Sequence, residues 1–227
     1  MNMLRETVTE AAVGVGIASS LDGLSAIHHP GCAAAIWRRP LQDTFGAWLN
    51  TLEPDQLPNG RVILRPDRVR DALLQMCAIA QTPAGRERDA LIDDAALLAA
   101  SFARLMNAPY LRLRLDVVTT NACRRFHIDA VTSRLVCTYR GTGTQYGIST
   151  DGAEPTRVFT TPTGAPIVLR GTLWPERPAS GLLHRSPPIE GTGETRLVLV
   201  LDPVVDLEDQ PDRVMTADSL PGGTVPE

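Results

Sequence analysis

Two periodicities divide the chain near Pro109. Beyond it, "LRLRLDVV" alternates Leu111, Leu113, Leu115 and Val117 with Arg112, Arg114 and Asp116, the period-two pattern of a strand with one buried face. Further strands are predicted at "SRLVCTY" (133–139), "TRVFTT" (156–161), "PIVLR" (166–170), "GLLHR" (181–185) and "TRLVLVLD" (195–202), punctuated by Gly, Pro, Ser and Thr. No helical pattern intervenes, so this half predicts an antiparallel sandwich or barrel.

Before Pro109 the spacing is mainly helical. "CAAAIWRRP" predicts a short strand stopped by Pro40, after which Leu41, Phe45, Trp48, Leu49 and Leu52 share a helical face. "EPDQLPNG" breaks the chain, and Pro66 opens a second helix with Val69, Leu73, Met76, Cys77 and Ala80 on one side. A third helix is predicted over residues 86–106, burying Leu91, Ala95, Leu98, Phe102 and Leu105. Residues 1–30 carry no assignable pattern. The expected class is α+β, a single domain over 1–205 in which a mainly helical lead-in (1–108) packs outside a β unit (109–205). The acidic, Pro- and Gly-rich stretch 206–227 is expected to be a disordered tail.

Composition narrows the function classes. With 227 residues, 43% apolar, the chain can bury a core of its own, filled by Leu, Val and Ala because aromatics make up only 4%. A net charge of −4 argues against a nucleic-acid binder that works through phosphate contacts. All 22 Lys and Arg residues are arginines, which rules out a Schiff-base lysine and a P-loop lysine. The four cysteines are widely spaced, as expected of reduced thiols rather than a disulfide scaffold. "AAVGVGIA" follows Glu6 and Glu10 where a signal peptide would carry positive charge, and it is too short to span a bilayer. These features predict a soluble, cytoplasmic protein with no membrane or nucleic-acid partner.

"GTGTQYG" follows a predicted strand, but its glycines are spaced G-x-G-x-x-x-G and no amphipathic helix follows, so it reads as a turn and not a phosphate loop. The chemistry concentrates elsewhere. His127 and Asp129 lie two residues apart, and on a strand both project to one face, where an imidazole and a carboxylate can meet one ion. Taken alone, the pair also fits an ordinary surface strand. His184, near the end of another predicted strand, supplies a second imidazole, and Arg196 opens the last strand twelve residues later. Two neutral imidazoles and one carboxylate on one face of a metal leave adjacent positions open, the arrangement associated with non-haem Fe(II).

Other residues compete for roles. Strand alternation turns Arg185 away from His184, and Cys123, four residues before His127, offers a thiolate that would shift the site toward zinc. Tyr139 and Thr144 can add hydrogen bonds to a bound co-substrate, although Tyr139 shares parity with Leu135 and Cys137 and so also reads as core. His28 and His29 read as a solvated loop. Arg38 and Arg39 either meet an anionic substrate or pair with acids of the helical half.

From "CAAAIWRR", "FHID", "TYRGTGT" and "HRSPP" together, the chain resembles a bacterial family known only as domain of unknown function 1826, over roughly residues 30–203. Its β half also resembles the Fe(II)/2-oxoglutarate-dependent dioxygenases. That resemblance implies a double-stranded β-helix, a jelly-roll, cupin-like barrel, with His127, Asp129 and His184 as metal ligands. It further implies that Arg196 clamps the distal carboxylate of 2-oxoglutarate through two charge-assisted hydrogen bonds. The implied activity is a hydroxylase-like oxygenase acting on a small molecule or a protein side chain. The other family resemblance implies an alternative: a non-catalytic or zinc-binding β-helix protein of bacterial metal homeostasis, with Cys123 in the site and a metal-handling GTPase as partner. A third reading is a metal-dependent hydrolase or isomerase that uses Arg196 for its substrate.

Overall fold

The computed structural model describes residues 11–207 apart from 42 and 152. Glu6, Glu10 and the expected tail from residue 208 onward lie outside the described residues. Strand β1 (Gly14–Ala18) leads through a 3-10 segment, Leu21–His28, into β2 (Cys32–Trp37), the strand expected before Pro40. Helix α1 (Asp43–Thr51), strand β3 (Gly60–Leu64), helix α2 (Val69–Ile79) and helix α3 (Arg86–Met106) complete the first half. Pro66 opens a short 3-10 turn ahead of α2, because its fixed φ suits the start of a helix. The second half consists of β4 (Tyr110–Val118), β5 (Ser133–Arg140), β6 (Gln145–Ile148), β7 (Phe159–Thr160), β8 (Ile167–Arg170), β9 (Leu182–Arg185) and β10 (Arg196–Val204).

Three strands go beyond the sequence expectation. β1 and β3 form in stretches where no strand is expected from sequence: Val13, Val15 and Ile17 alternate only with glycines, β3 has no alternation, and pairing with β2 and β4 supplies what the local pattern lacks. β6 starts inside "GTGTQYG", so only the first part of that segment is a turn. Gly141 makes the turn at φ +80°, and a Cβ there would press on Arg196 Cγ and Glu194 Oε1 at 2.8 Å.

The large sheet runs β1-β2-β8-β5-β10-β4-β3 and is antiparallel except for the β1–β2 pair. A smaller antiparallel sheet runs β7-β6-β9. From β4 onward the chain passes repeatedly between the two.

One face of the large sheet packs on the helices. There Leu91, Leu98 and Phe102 of α3 meet Leu113 and Leu115 of β4 and Leu199 of β10. On the other face Val136, Ile167, Val198 and Val200 form a second apolar layer with Leu182 of the small sheet. β10 is thus buried on both sides, which explains why "TRLVLVLD" reads as an almost continuous apolar run. Its even-numbered residues, Arg196 through Asp202, point between the sheets, and those are the positions that matter below. No helix among the described residues is long and apolar enough to cross a membrane.

Candidate metal centre

The segment after β4 returns along the free edge of β9. His127 and His184 face each other as an antiparallel bridge, the N–H of each donating to the carbonyl of the other at 3.0 Å. Opposed residues of such a pair project to the same face. Two imidazoles remote in sequence are thereby brought side by side, with ring centroids 4.6 Å apart.

Asp129 completes the group. Its Oδ1 lies 3.5 Å from His127 Nε2 and its Oδ2 lies 2.9 Å from His184 Nε2. One ligand atom from each of the three residues lies within 4.8 Å of the others.

The surroundings prepare these atoms for a cation. His127 Nδ1 lies 2.8 Å from the carbonyl of Arg125; donation there leaves the Nε2 lone pair facing the carboxylate, as a ligating histidine requires. Burial holds the His184 pKa below its ordinary value, opposed by Asp129 and reinforced by His127 and Arg134, so this ring favours its neutral, ligating form. For Asp129, burial works against ionisation, but His184, Arg134 and His127 outweigh it and draw its pKa down to about 2. Although 2.9 Å from His184 Nε2, Oδ2 is not aligned for a hydrogen bond and has no hydrogen-bond partner among the described residues. A buried, ionised oxygen without a donor, converging with two imidazole nitrogens, fits a divalent metal.

Two features hold the carboxylate in place. Arg134 Nη1 lies 2.5 Å from Asp129 Oδ1, and the same guanidinium donates to Asp202 of β10 from Nε at 2.6 Å and Nη2 at 2.8 Å. Thr172 N–H donates to the Asp129 carbonyl at 2.9 Å beside Gly171, where a Cβ would overlap the Val131 carbonyl and come within 2.9 Å of that of Asp129. Arg134→Ala is expected to weaken Mn(II) or Fe(II) binding about 10–100-fold by calorimetry, the usual scale for losing a group that orients a ligand. An unchanged affinity would show that Asp129 needs no such anchor.

The rings open onto a cavity of about 120 Å³ lined by His127, His184, Thr144, Arg114, Arg134 and Arg196. Arg196 is 1% exposed and has no carboxylate partner within ion-pair distance among the described residues. Nε donates to the Thr142 carbonyl at 2.7 Å, and Nη2 has only a long contact, 3.4 Å, to Thr138 Oγ1. Burial pulls its pKa down to about 10, with Glu194 the opposing influence. Arg114 and Asp116 of β4 and Arg134 of β5, which the motif did not single out, line this same cavity, and Asp202 of β10 pairs with Arg134. Parity was the available signal: 112, 114 and 116 oppose the Leu face of β4, and 202 follows Val198 and Val200.

Tyr139 requires a correction as a co-substrate group. It points to the helical side of the sheet with Leu135 and Cys137, and its hydroxyl donates to Asp94 Oδ2 at 2.7 Å. Asp94 in turn receives both arms of Arg39 at 2.5 and 2.6 Å, so Arg39 pairs with an acid of the helical half. Arg185 donates to Gln145 Oε1 at 2.8 Å and lies over the Phe126 ring, and it still borders the same cavity despite the alternation. His28 reaches the Leu105 carbonyl at 3.1 Å and packs beside Trp174, away from the site.

Cys123 borders the cavity but does not belong to the group of converging ligand atoms. It is exposed, whereas Cys32, Cys77 and Cys137 are buried, and burial pushes the Cys137 thiol up to about 12. A chromogenic disulfide added to the native protein is therefore expected to titrate one thiol rapidly, lost in Cys123→Ser. Rapid reaction of two or more thiols would contradict this burial pattern.

The sequence model of a family described as "Protein of unknown function (DUF1826)" matches residues 18–202. The chain belongs to that family. No curated protein matches it in sequence. Among solved structures, this DUF1826 protein is similar to the dioxygenase for auxin oxidation 1 of Arabidopsis thaliana in its 2-oxoglutarate complex, with 9% identity, a TM-score of 0.53, and 92% of this chain and 98% of the other covered. A rice dioxygenase for auxin oxidation matches at 11% identity and a TM-score of 0.50, over 87% of this chain and 84% of that one. At such identities the likeness establishes a shared fold.

Proposed function

We propose that this DUF1826 protein is a non-haem Fe(II)/2-oxoglutarate-dependent oxygenase of the hydroxylase type, built on a double-stranded β-helix. The strand order supports that architecture. β8-β5-β10-β4 would form one layer, and β7-β6-β9 with the His127 segment the facing one. His127, Asp129 and His184 would hold the iron.

Arg196 carries the proposal. An enclosed guanidinium without an acid is costly, and a dianionic co-substrate bound in the same cavity as the triad would compensate it. Its planar fork suits the distal carboxylate of 2-oxoglutarate, and Thr144 can add a hydrogen bond. Bound iron would supply the O₂ chemistry in which one oxygen atom enters succinate as CO₂ leaves and the other enters the substrate. The chain's own contribution is placement. Arg134 holds Asp129 so that Oδ2 stays free, the Arg125 carbonyl fixes the His127 tautomer, and the apolar layer between the sheets limits water.

Fe(II)-loaded protein incubated with 2-oxoglutarate and O₂ is expected to form succinate slowly without added substrate, and Asp129→Ala to form none above the metal-only background. Equal succinate from both proteins would refute the reading. Zinc with Cys123 finds less support, because that sulfur lies outside the converging atoms. The four unpaired cysteines favour a reducing compartment, and we place the protein in the cytoplasm on that ground.

A further inference from the structure

The cavity contains more positive charge than a metal and one co-substrate use. Arg134 is closed by Asp129 and Asp202, and Arg185 turns to Gln145 and Phe126. Arg196 is taken up by the co-substrate if the oxygenase reading holds. Arg114 remains. It projects from β4 opposite Val200, on the same sheet face as Asp116 and Arg134, and lines the same cavity.

Its pairing is incomplete. The nearest carboxylate oxygen, Asp116 Oδ2, stands 4.0 Å from Nη1, beyond hydrogen-bond distance, and the buried Nε has no hydrogen-bond partner among the described residues. The two arginines also differ in depth. The Arg196 residue is 1% exposed, whereas the side chain of Arg114 is 24% exposed and so accessible from solvent. A deep guanidinium suits a co-substrate that binds first; a shallower one suits a molecule that arrives afterwards.

We propose that Arg114 is a specificity-determining residue that binds a carboxylate or similarly compact oxyanion of the substrate, so that the molecule oxidised is an acid. The inference rests on the oxygenase reading, which assigns Arg196 to 2-oxoglutarate. A small acid's carboxylate would give the terminal nitrogens of Arg114 the close partner that Asp116, 4.0 Å from Nη1, does not supply. A neutral amide offers the guanidinium one uncharged acceptor and, in place of the second oxygen, an N–H donor that cannot pair with it, so it forfeits the charge-assisted bond.

The test uses the full chain loaded with Mn(II) and saturating 2-oxoglutarate, titrated by calorimetry with benzoate and, separately, with benzamide as its neutral analogue. Benzoate is expected to bind at least ~10-fold more tightly, corresponding to one hydrogen-bonded charge worth about 1.4 kcal/mol or more. Arg114→Gln should remove that preference while 2-oxoglutarate affinity stays within ~3-fold. Asp116→Asn, which removes the nearer of the two acids that act on Arg114, Asp202 being the other, should tighten benzoate and keeps the test decisive if the first variant fails to fold. The Arg114 proposal falls if acid and amide bind alike or not at all, if Arg114→Gln keeps the preference, or if Asp116→Asn leaves benzoate unchanged or weaker. Failure of the metal-loaded wild type to bind 2-oxoglutarate would overturn the oxygenase reading itself, a separate and recognisable result.

Discussion

His184→Ala is expected to raise the Mn(II) or Fe(II) dissociation constant at least ~100-fold, since even a residue that only orients a ligand is worth 10–100-fold. The backbone pairing with His127 runs through main-chain atoms and survives the substitution, so the two sheets should keep their circular-dichroism signature. Loss of one ring nitrogen leaves Asp129 Oδ2 facing a single imidazole, and two protein ligands hold a divalent ion poorly. His29→Ala, at an exposed position outside the group, is the matched control and should bind metal like the wild type. Equal metal affinity in both variants would show that the ring at position 184 is not a ligand.

Arg196→Met should separate function from stability. Truncating one partner of a buried charge pair costs about 2–5 kcal/mol, so 2-oxoglutarate affinity is expected to fall roughly 30-fold or more, with metal affinity held within ~3-fold. Without ligands the expectation reverses. Methionine fills a similar volume, carries no charge into a site that is 1% exposed, and gives up only contacts to the Thr142 carbonyl and Thr138 hydroxyl. Exchanging an unmatched buried charge for an apolar side chain is often neutral or stabilising, so the ligand-free variant should melt no lower than the wild type. A large drop in melting temperature with 2-oxoglutarate binding intact would assign Arg196 a structural role instead.

Local periodicity made a good part of this molecule legible. Helix α3 occupies the residues its apolar spacing predicts, and the alternation of β4 separates Leu113, facing the helices, from Arg114, facing the cavity. The order of His127, Asp129, His184 and Arg196 drew attention to these residues because a metal demands particular donor types, and the structure brings ligand atoms of the first three within 4.8 Å of one another. What stayed hidden depends on register between distant strands. β3 becomes a strand because β4 offers its edge, and Arg134 matters because register brings Asp202 of β10 within reach while its other arm meets Asp129. Tyr139 illustrates the choice between motif and parity. Its neighbours Leu135 and Cys137 fixed its face, and it joined them against the helices.

Anaerobic protein mixed with one equivalent of Fe(II) and then 2-oxoglutarate tests the central claim most directly. A weak visible charge-transfer band is expected that saturates at one iron per chain and is absent from His127→Ala. A colourless, metal-loaded wild type, or a band of equal strength in that variant, would contradict it.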